Sequence, residues 1–184
     1  MDNKEFVEFL RGRGNKLALF DMYGTLLPNY GYPRMEPETV NFLNKLHQNE
    51  ITLGLVSNCD DRVLINRILE DAKVEDLFSV IVLNDEGAEH TERLFKAIRK
   101  AKEKTNRNFS PRDIYHFDDD NRRINSSKIL GINHIMVSDD PNVNLKIFPA
   151  DFLIPNFRNH EIIFNFMRIN DKEGVRTPQK VKRV

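Results

Sequence analysis

Apolar positions along the chain fall into two alternating patterns. Short segments at 17–20, 51–56, 79–83, 113–117 and 134–137 are rich in Val, Ile, Leu and Phe, as buried strands are. Between them lie segments with helical spacing. Glu36-Pro37-Glu38 opens the first, since Pro suits the first turn and acids suit the positive end of the dipole. Val40, Leu43 and Leu46, with Phe42 alongside, give it an apolar face. A second helix is predicted from Asp60 as N-cap, with Val63, Leu64, Ile68 and Leu69 inward. A third, basic helix covers 90–104, with Leu94, Ala97, Ile98 and Ala101 at helical spacing, and a fourth ends at Gly131. Strands separated by helices of this length imply βαβ units, a parallel sheet and right-handed crossovers.

After Asp140 the alternation weakens. A short edge strand is expected over 151–155, and a closing helix over 160–169 with Ile162, Ile163, Phe166 and Met167 inward. Residues 170–184 lack periodicity and read as a basic, mobile tail. The expected organisation is an N-terminal extension over 1–15, a core domain over 16–155, a helix over 156–169 and the tail.

Composition narrows the function classes. The 184 residues carry 28 basic and 28 acidic side chains, so a globally basic nucleic-acid binder is not expected, and only the tail points that way. One cysteine, Cys59, excludes a disulfide framework and a Cys-rich zinc site. No apolar run approaches the roughly 20 residues that span a bilayer, and the first residues lack a signal-peptide pattern. The expectation is a cytoplasmic protein without a membrane partner.

The chemistry gathers at strand ends. In an open parallel sheet the ligand sits outside the carboxyl ends of the strands, and here those ends carry Asp21, Ser57-Asn58 and Asp118-Asp119. The run Leu17-Ala18-Leu19-Phe20-Asp21-Met22-Tyr23-Gly24-Thr25-Leu26 resembles the first motif of the haloacid dehalogenase (HAD) superfamily. Leu53-Gly54-Leu55-Val56-Ser57-Asn58 resembles its second motif, and Tyr115-His116-Phe117-Asp118-Asp119 its acidic fourth motif. The resemblance spans 16–138 and implies an α/β fold: a three-layer Rossmannoid HAD-like domain around a central parallel sheet. By resemblance Asp21 is a carboxylate nucleophile, and Mg²⁺ is held by Asp21, the main-chain carbonyl of Tyr23 and Asp118. Ser57, next to Asn58, holds phosphoryl oxygens together with main-chain N–H groups, and Thr25 orients the nucleophile's loop. Asp119 has two readings, support of the metal's waters or a cap on the next helix.

Two positions depart from the pattern. Phosphatases of the superfamily place an acid/base Asp two residues after the nucleophile; this chain has Tyr23, the form seen in 2-haloacid dehalogenases. Tyr can donate a proton but is a poor base near pH 7. The third motif's Lys is also absent, with Glu89 near its place. Arg62, Arg93 and Lys96 are candidates to replace it, although all three read more simply as solvated helix residues.

Spacing limits the accessories. Only 36 residues separate Asp21 from Ser57 and 32 separate Ser57 from Glu89, so no large cap fits, and only a flap over 26–35 with Tyr30, Tyr32 and Arg34 remains. An open site suits a phosphorylated, macromolecular substrate better than a small haloacid. Phe-Asp-Asp followed by Asn-Arg-Arg-Ile resembles the small capless magnesium-dependent phosphatases. Three functions stay in play: an atypical Mg²⁺ phosphohydrolase, a pseudoenzyme that binds or scaffolds, and a dehalogenase-like hydrolase. The five histidines show no ligand spacing and read as surface or structural, His116 as a packed strand residue. Arg122 and Arg123 read as neutralising the acids before them.

Overall fold

The computed structural model describes residues 15–28, 33–87, 89–138, 150–154 and 157. The extension before Asn15, the helix over 160–169, the tail, and Tyr30 and Tyr32 of the flap lie outside the described residues. Six strands form one parallel sheet: β1 (Leu17–Phe20), β2 (Thr52–Val56), β3 (Phe78–Val82), β4 (Ile114–Asp118), β5 (Asn133–Val137) and β6 (Phe152–Ile154). Their order is β3-β2-β1-β4-β5-β6. Every residue of β1, β2, β4 and β5 is buried, which is why those runs are mostly apolar rather than alternating, with His116, Asp118, Asn133 and His134 as buried polar exceptions.

Four helices cover the two faces: α1 (Pro37–Gln48), α2 (Arg62–Asp71), α3 (His90–Thr105) and α4 (Ile124–Leu130). On one face Phe42, Leu43 and Leu46 of α1 and Ile65, Ile68 and Leu69 of α2 pack on Phe20, Leu53, Leu55, Tyr115 and Phe117. Phe20 stacks on Phe117 at 4.5 Å between ring centroids and Phe42 on Phe157 at 4.9 Å, a buried aromatic group under the strand ends. On the other face Leu94, Ala97 and Ala101 of α3 lie on Leu17, Leu19, Val80 and Val82. The result is the three-layer α/β fold expected. Among the described residues no cap interrupts it between Asp21 and Ser57, and no helix is long and apolar enough to cross a membrane.

Some local expectations shift. The N-cap of α2 is Asp61, not Asp60; its carboxylate accepts the Leu64 N–H at 2.9 Å. Val63, about 140° around the helix from Ile68, points to solvent at 71% exposure, and Ile65 takes the inner position. In the flap, Leu26, Leu27 and Met35 are buried core residues, which ties both its ends down.

Candidate active site

The chain builds β1, β2 and β3 outward in one direction, then returns to place β4 on the other side of β1. The crevice of such a sheet lies at that reversal, beyond the carboxyl ends of β1 and β4. Asp21 follows β1 directly, and its N–H donates to the Phe117 carbonyl of β4 at 2.9 Å. Asp118 ends β4. A cleft of about 420 Å³ opens there, lined by Asp21, Tyr23, Ser57, Asn58, Asp118, Asp119 and Arg123 among others. It therefore brings together the motif residues named from the sequence except Thr25, while Arg62, Arg93 and Lys96 do not line it.

The loop after Asp21 turns sharply. Gly24 takes φ +84°, a left-handed conformation that favours glycine, and its N–H donates to the Leu27 carbonyl at 2.8 Å. Leu26 and Leu27 N–H groups both donate to the Met22 carbonyl. Thr25 is buried, and its hydroxyl has no hydrogen-bond partner among the described residues. The turn is thus held by main-chain bonds.

Carboxylate oxygens of Asp21, Asp118 and Asp119 lie within 4.8 Å of one another. Burial, then the Asp118 charge, push the Asp21 carboxyl well above its ordinary range, and burial raises Asp118 too. Holding these groups ionised together needs a cation, and an all-oxygen donor set is what Mg²⁺ takes. The residues present fit that ion. The two readings of Asp119 separate here: the next turn is capped by Asp120, whose carboxylate accepts the Arg122 N–H at 2.9 Å, while Asp119 joins the acidic group. Arg122 grips Asp120 with Nε and Nη2, as expected, and Arg123 sits 3.6 Å from it and draws the Asp21 and Asp118 carboxyls down.

Beyond β2, Ser57 is buried and its Oγ accepts the Cys59 N–H at 3.3 Å. Asn58 is exposed and held from behind. Arg93 donates to its Oδ1 at close range, to Asn84 Oδ1 at 3.0 Å and to the Gly87 carbonyl at 2.6 Å. The reading of Arg93 as a solvated helix residue is thereby corrected: it is 2% exposed, and its charge interacts with Asp21. Arg62 and Lys96 instead pair with Glu86. Glu89, in the place of the missing Lys, is the N-cap of α3, and Glu92 accepts its N–H at 3.4 Å. The signal for Arg93 was present, since Arg93, Ala97 and Ala101 recur every four residues along the buried stripe of α3.

His116 is the packed strand residue expected and His47 lies at the surface, but the grouping of the histidines was not expected. His90, His116 and His134 are all buried, and only His47 of the described ones is exposed. His116 and His134 are direct neighbours across β4 and β5. Ser127 Oγ lies 2.9 Å from His116 Nδ1 and 3.2 Å from His134 Nδ1. His90, at the start of α3, brings its Nε2 to 3.4 Å from His116 Nε2. Burial holds all three imidazoles down at about 3, so they are neutral near pH 7. They converge in space from three elements, which linear spacing does not reveal.

Tyr23 is 37% exposed and lines the cleft. Burial, then Cys59 and Asp61, raise its phenol further, so it stays protonated over the working range.

Comparison with known proteins agrees with this fold. The sequence profile of the haloacid dehalogenase-like hydrolases matches residues 32–137, which include Ser57 and Asp118 and begin after Asp21. No curated protein gives a significant match. Among solved structures, a haloacid dehalogenase-like family hydrolase from Streptococcus pneumoniae superposes with a TM-score of 0.65 at 10% identity, covering 82% of this chain and 98% of its own. The cobalt-bound deoxy-D-mannose-octulosonate 8-phosphate phosphatase from Haemophilus influenzae gives 0.62 at 14% identity, covering 87% and 92%. A magnesium-bound HAD-hydrolase from Bacillus subtilis gives 0.59 at 15% identity, covering 72% and 56%. At these identities the structures show a shared fold. With the profile matching more than half its length, the chain belongs to the haloacid dehalogenase-like hydrolases.

Proposed function

We propose that this chain is a Mg²⁺-dependent phosphohydrolase that works through an aspartyl-phosphate on Asp21. The observation that carries the reading is the gathering of Asp21, Asp118 and Asp119 at the β1/β4 crevice. Asp21, Asp118 and the Tyr23 carbonyl would hold the ion, with Asp119 supporting it. When bound, Mg²⁺ offsets the repulsion between the carboxylates and an anionic phosphoryl group. One Asp21 oxygen attacks phosphorus, the bond from phosphorus to the leaving oxygen breaks, and that oxygen takes a proton from the Tyr23 hydroxyl or from solvent. Water then attacks the same phosphorus, the Asp21–phosphorus bond breaks, and inorganic phosphate leaves with the carboxylate restored. Ser57 and Asn58 hold phosphoryl oxygens, Arg93 fixes Asn58 and adds positive potential, and Thr25 stays with the nucleophile's loop.

Tyr23 makes the two halves unequal. After the first step the phenol, its pKa raised, recovers its proton from solvent and so cannot deprotonate water in the second. The enzyme is therefore slow in dephosphorylation. The phosphatase chemistry of the Haemophilus influenzae neighbour supports a phosphorylated substrate. The capless cleft favours one carried on a macromolecule, in a cytoplasmic setting.

Hydrolysis of p-nitrophenyl phosphate, with and without Mg²⁺, tests the reading in the native chain, Asp21→Asn and Tyr23→Asp. The expected result is slow metal-dependent turnover, lost in Asp21→Asn and raised in Tyr23→Asp. A native chain without turnover that gains it on Tyr23→Asp would instead identify a binding protein with a decayed site, the reading Tyr23 favours. Halide release from a 2-haloacid would point to the dehalogenase reading.

A further inference from the structure

Behind the acidic cluster three ligand-type atoms meet on one point. His90 Nε2 lies 3.7 Å from Asp118 Oδ2, His116 Nε2 lies 3.3 Å from the same oxygen, and the two nitrogens are 3.4 Å apart. Each distance exceeds the roughly 2.7–3.2 Å of a good hydrogen bond. They match another geometry. Around a tetrahedral Zn²⁺ with bonds of about 2.0–2.2 Å, neighbouring ligand atoms are separated by about 3.3–3.6 Å. Two of the three separations fall in that range and the third, at 3.7 Å, lies just beyond it, so the atoms outline one slightly opened face of such a polyhedron.

The surroundings agree with that reading. All three side chains are buried, at 4% exposure or less, so no water shell competes for them. His116 has its other nitrogen at 2.9 Å from Ser127 Oγ, the outer-shell contact that orients a metal-bound imidazole. The other Asp118 oxygen, Oδ1, is turned away and accepts the Asp120 N–H at 2.8 Å.

We propose that His90, His116 and Asp118 form a second cation site, for Zn²⁺ or a similar first-row transition ion, distinct from the all-oxygen group of Asp21, Asp118 and Asp119. Imidazole nitrogen selects Zn²⁺, Co²⁺ or Ni²⁺ over Mg²⁺. The fourth tetrahedral position is left to a non-protein ligand. Because Asp118 belongs to both groups, filling one changes the affinity of the other, and equally in reverse. The site needs neither Asp21 nor a substrate, so it stands or falls apart from the proposed hydrolase chemistry.

Co²⁺ titration of the full-length, metal-free chain tests it, read by ligand-field absorption and equilibrium dialysis. The proposal expects an intense visible band from a nitrogen-ligated, low-coordinate ion, displaced by Zn²⁺ and retained in excess Mg²⁺. It expects the band in Asp21→Asn too. In His90→Gln, Co²⁺ affinity should fall on the order of 10²-fold or more, since even outer-shell partners are worth 10–100-fold. Ser127→Ala, which keeps all three ligands, should weaken binding by roughly 10-fold. As a check free of substitutions, Zn²⁺ should move the imidazole ¹⁵N resonances of His90 and His116 but not those of His47. A band that survives His90→Gln, that vanishes in Asp21→Asn, or that never forms would overturn the proposal. So would Zn²⁺ that leaves the two imidazole resonances in place.

Discussion

Two buried carboxylates in one crevice set the electrostatics of the site. In the unfolded chain Asp21 loses its proton near the ordinary value of 3.8, whereas in the fold burial and the Asp118 charge keep it protonated to higher pH. Above that ordinary value the unfolded state therefore binds fewer protons than the native one. The metal-free protein loses stability as pH rises from about 4 through the raised native pKa. Asp21→Asn removes this cost. We expect the metal-free variant to melt higher than the native chain at pH 7, and Mg²⁺ to raise the melting temperature of the native chain more than that of the variant. A scanning-fluorimetry series with and without Mg²⁺ measures both. Arg93 is the second residue that matters here. A hydrogen bond to a charged group is worth about 1.5–3 kcal/mol, so Arg93→Met should lower kcat/KM by roughly 10–10² while the protein stays folded. Arg93→Lys keeps the charge without the three-way grip and should recover only part of the loss. Asp21, Ser57 and Asp118 could be read from the sequence because each interrupts an apolar run at its end. Arg93 carried a weaker signal, its place on the buried stripe of α3, and the convergence of the three histidines could not be read because it joins elements distant in sequence.

Helices and strands here are held by a few positions with tight tolerances. Gly54, in the middle of β2, faces α3 between Leu19 and Val80. A methyl group on it would lie 2.7 Å from Leu19 Cδ2 and 2.8 Å from Val80 Cγ1. The branched Val80 has little freedom to withdraw, so Gly54→Ala should cost about 1–3 kcal/mol, measured as a shift of the urea midpoint. At the start of α2, Asp61→Ala removes the bond to the Leu64 N–H and should cost about 1 kcal/mol, whereas Asp60→Ala should cost far less. That pair of variants also locates the cap independently. Element type was legible because continuous apolar runs and 3.6-residue spacing differ plainly. Boundaries were not: Asp60 and Asp61 are chemically equivalent caps in sequence, and only the bond from the Leu64 N–H distinguishes Asp61. Glu89 was legible as a departure from the third motif, but its use as the N-cap of α3 depends on where that helix begins.

At the level of the whole molecule, sheet order decides what the strand ends can do together. Alternating strands and helices implied a parallel sheet, but periodicity does not say on which side of β1 the chain lays β4. The reversal that places β4 beside β1 is what joins Asp21 to Asp118 and aligns His116 with His134. The same burial shapes the acid response. His90, His116 and His134 bind protons only near pH 3 in the fold, against an ordinary 6.5, so their contribution to stability is lost as pH falls from about 6.5 toward 3. Burial alone would raise Glu86, but hydrogen bonds from Lys100, Lys96 and Arg62 bring it down to about 2, so it too loses stabilisation between 4.5 and 2. Asp21 works in the opposite sense. In the Asp21→Asn background, where only Asp118 still opposes the three histidines, the urea midpoint should be lower at pH 5 than at pH 7. A flat profile would mean that the histidines are not buried together.

The central claim is that Asp21 carries the phosphoryl group and that Tyr23 leaves it there longer than an Asp would. The direct measurement is rapid acid quench during turnover of a phosphate ester with Mg²⁺, followed by borohydride reduction and peptide mass spectrometry, since reduction converts an aspartyl-phosphate to homoserine. The account predicts a burst of product approaching one equivalent per chain and homoserine at position 21. It also predicts that Tyr23→Asp removes the burst as dephosphorylation quickens by on the order of 10²-fold. Steady turnover with no homoserine at position 21, or product formed equally by Asp21→Asn, would contradict it.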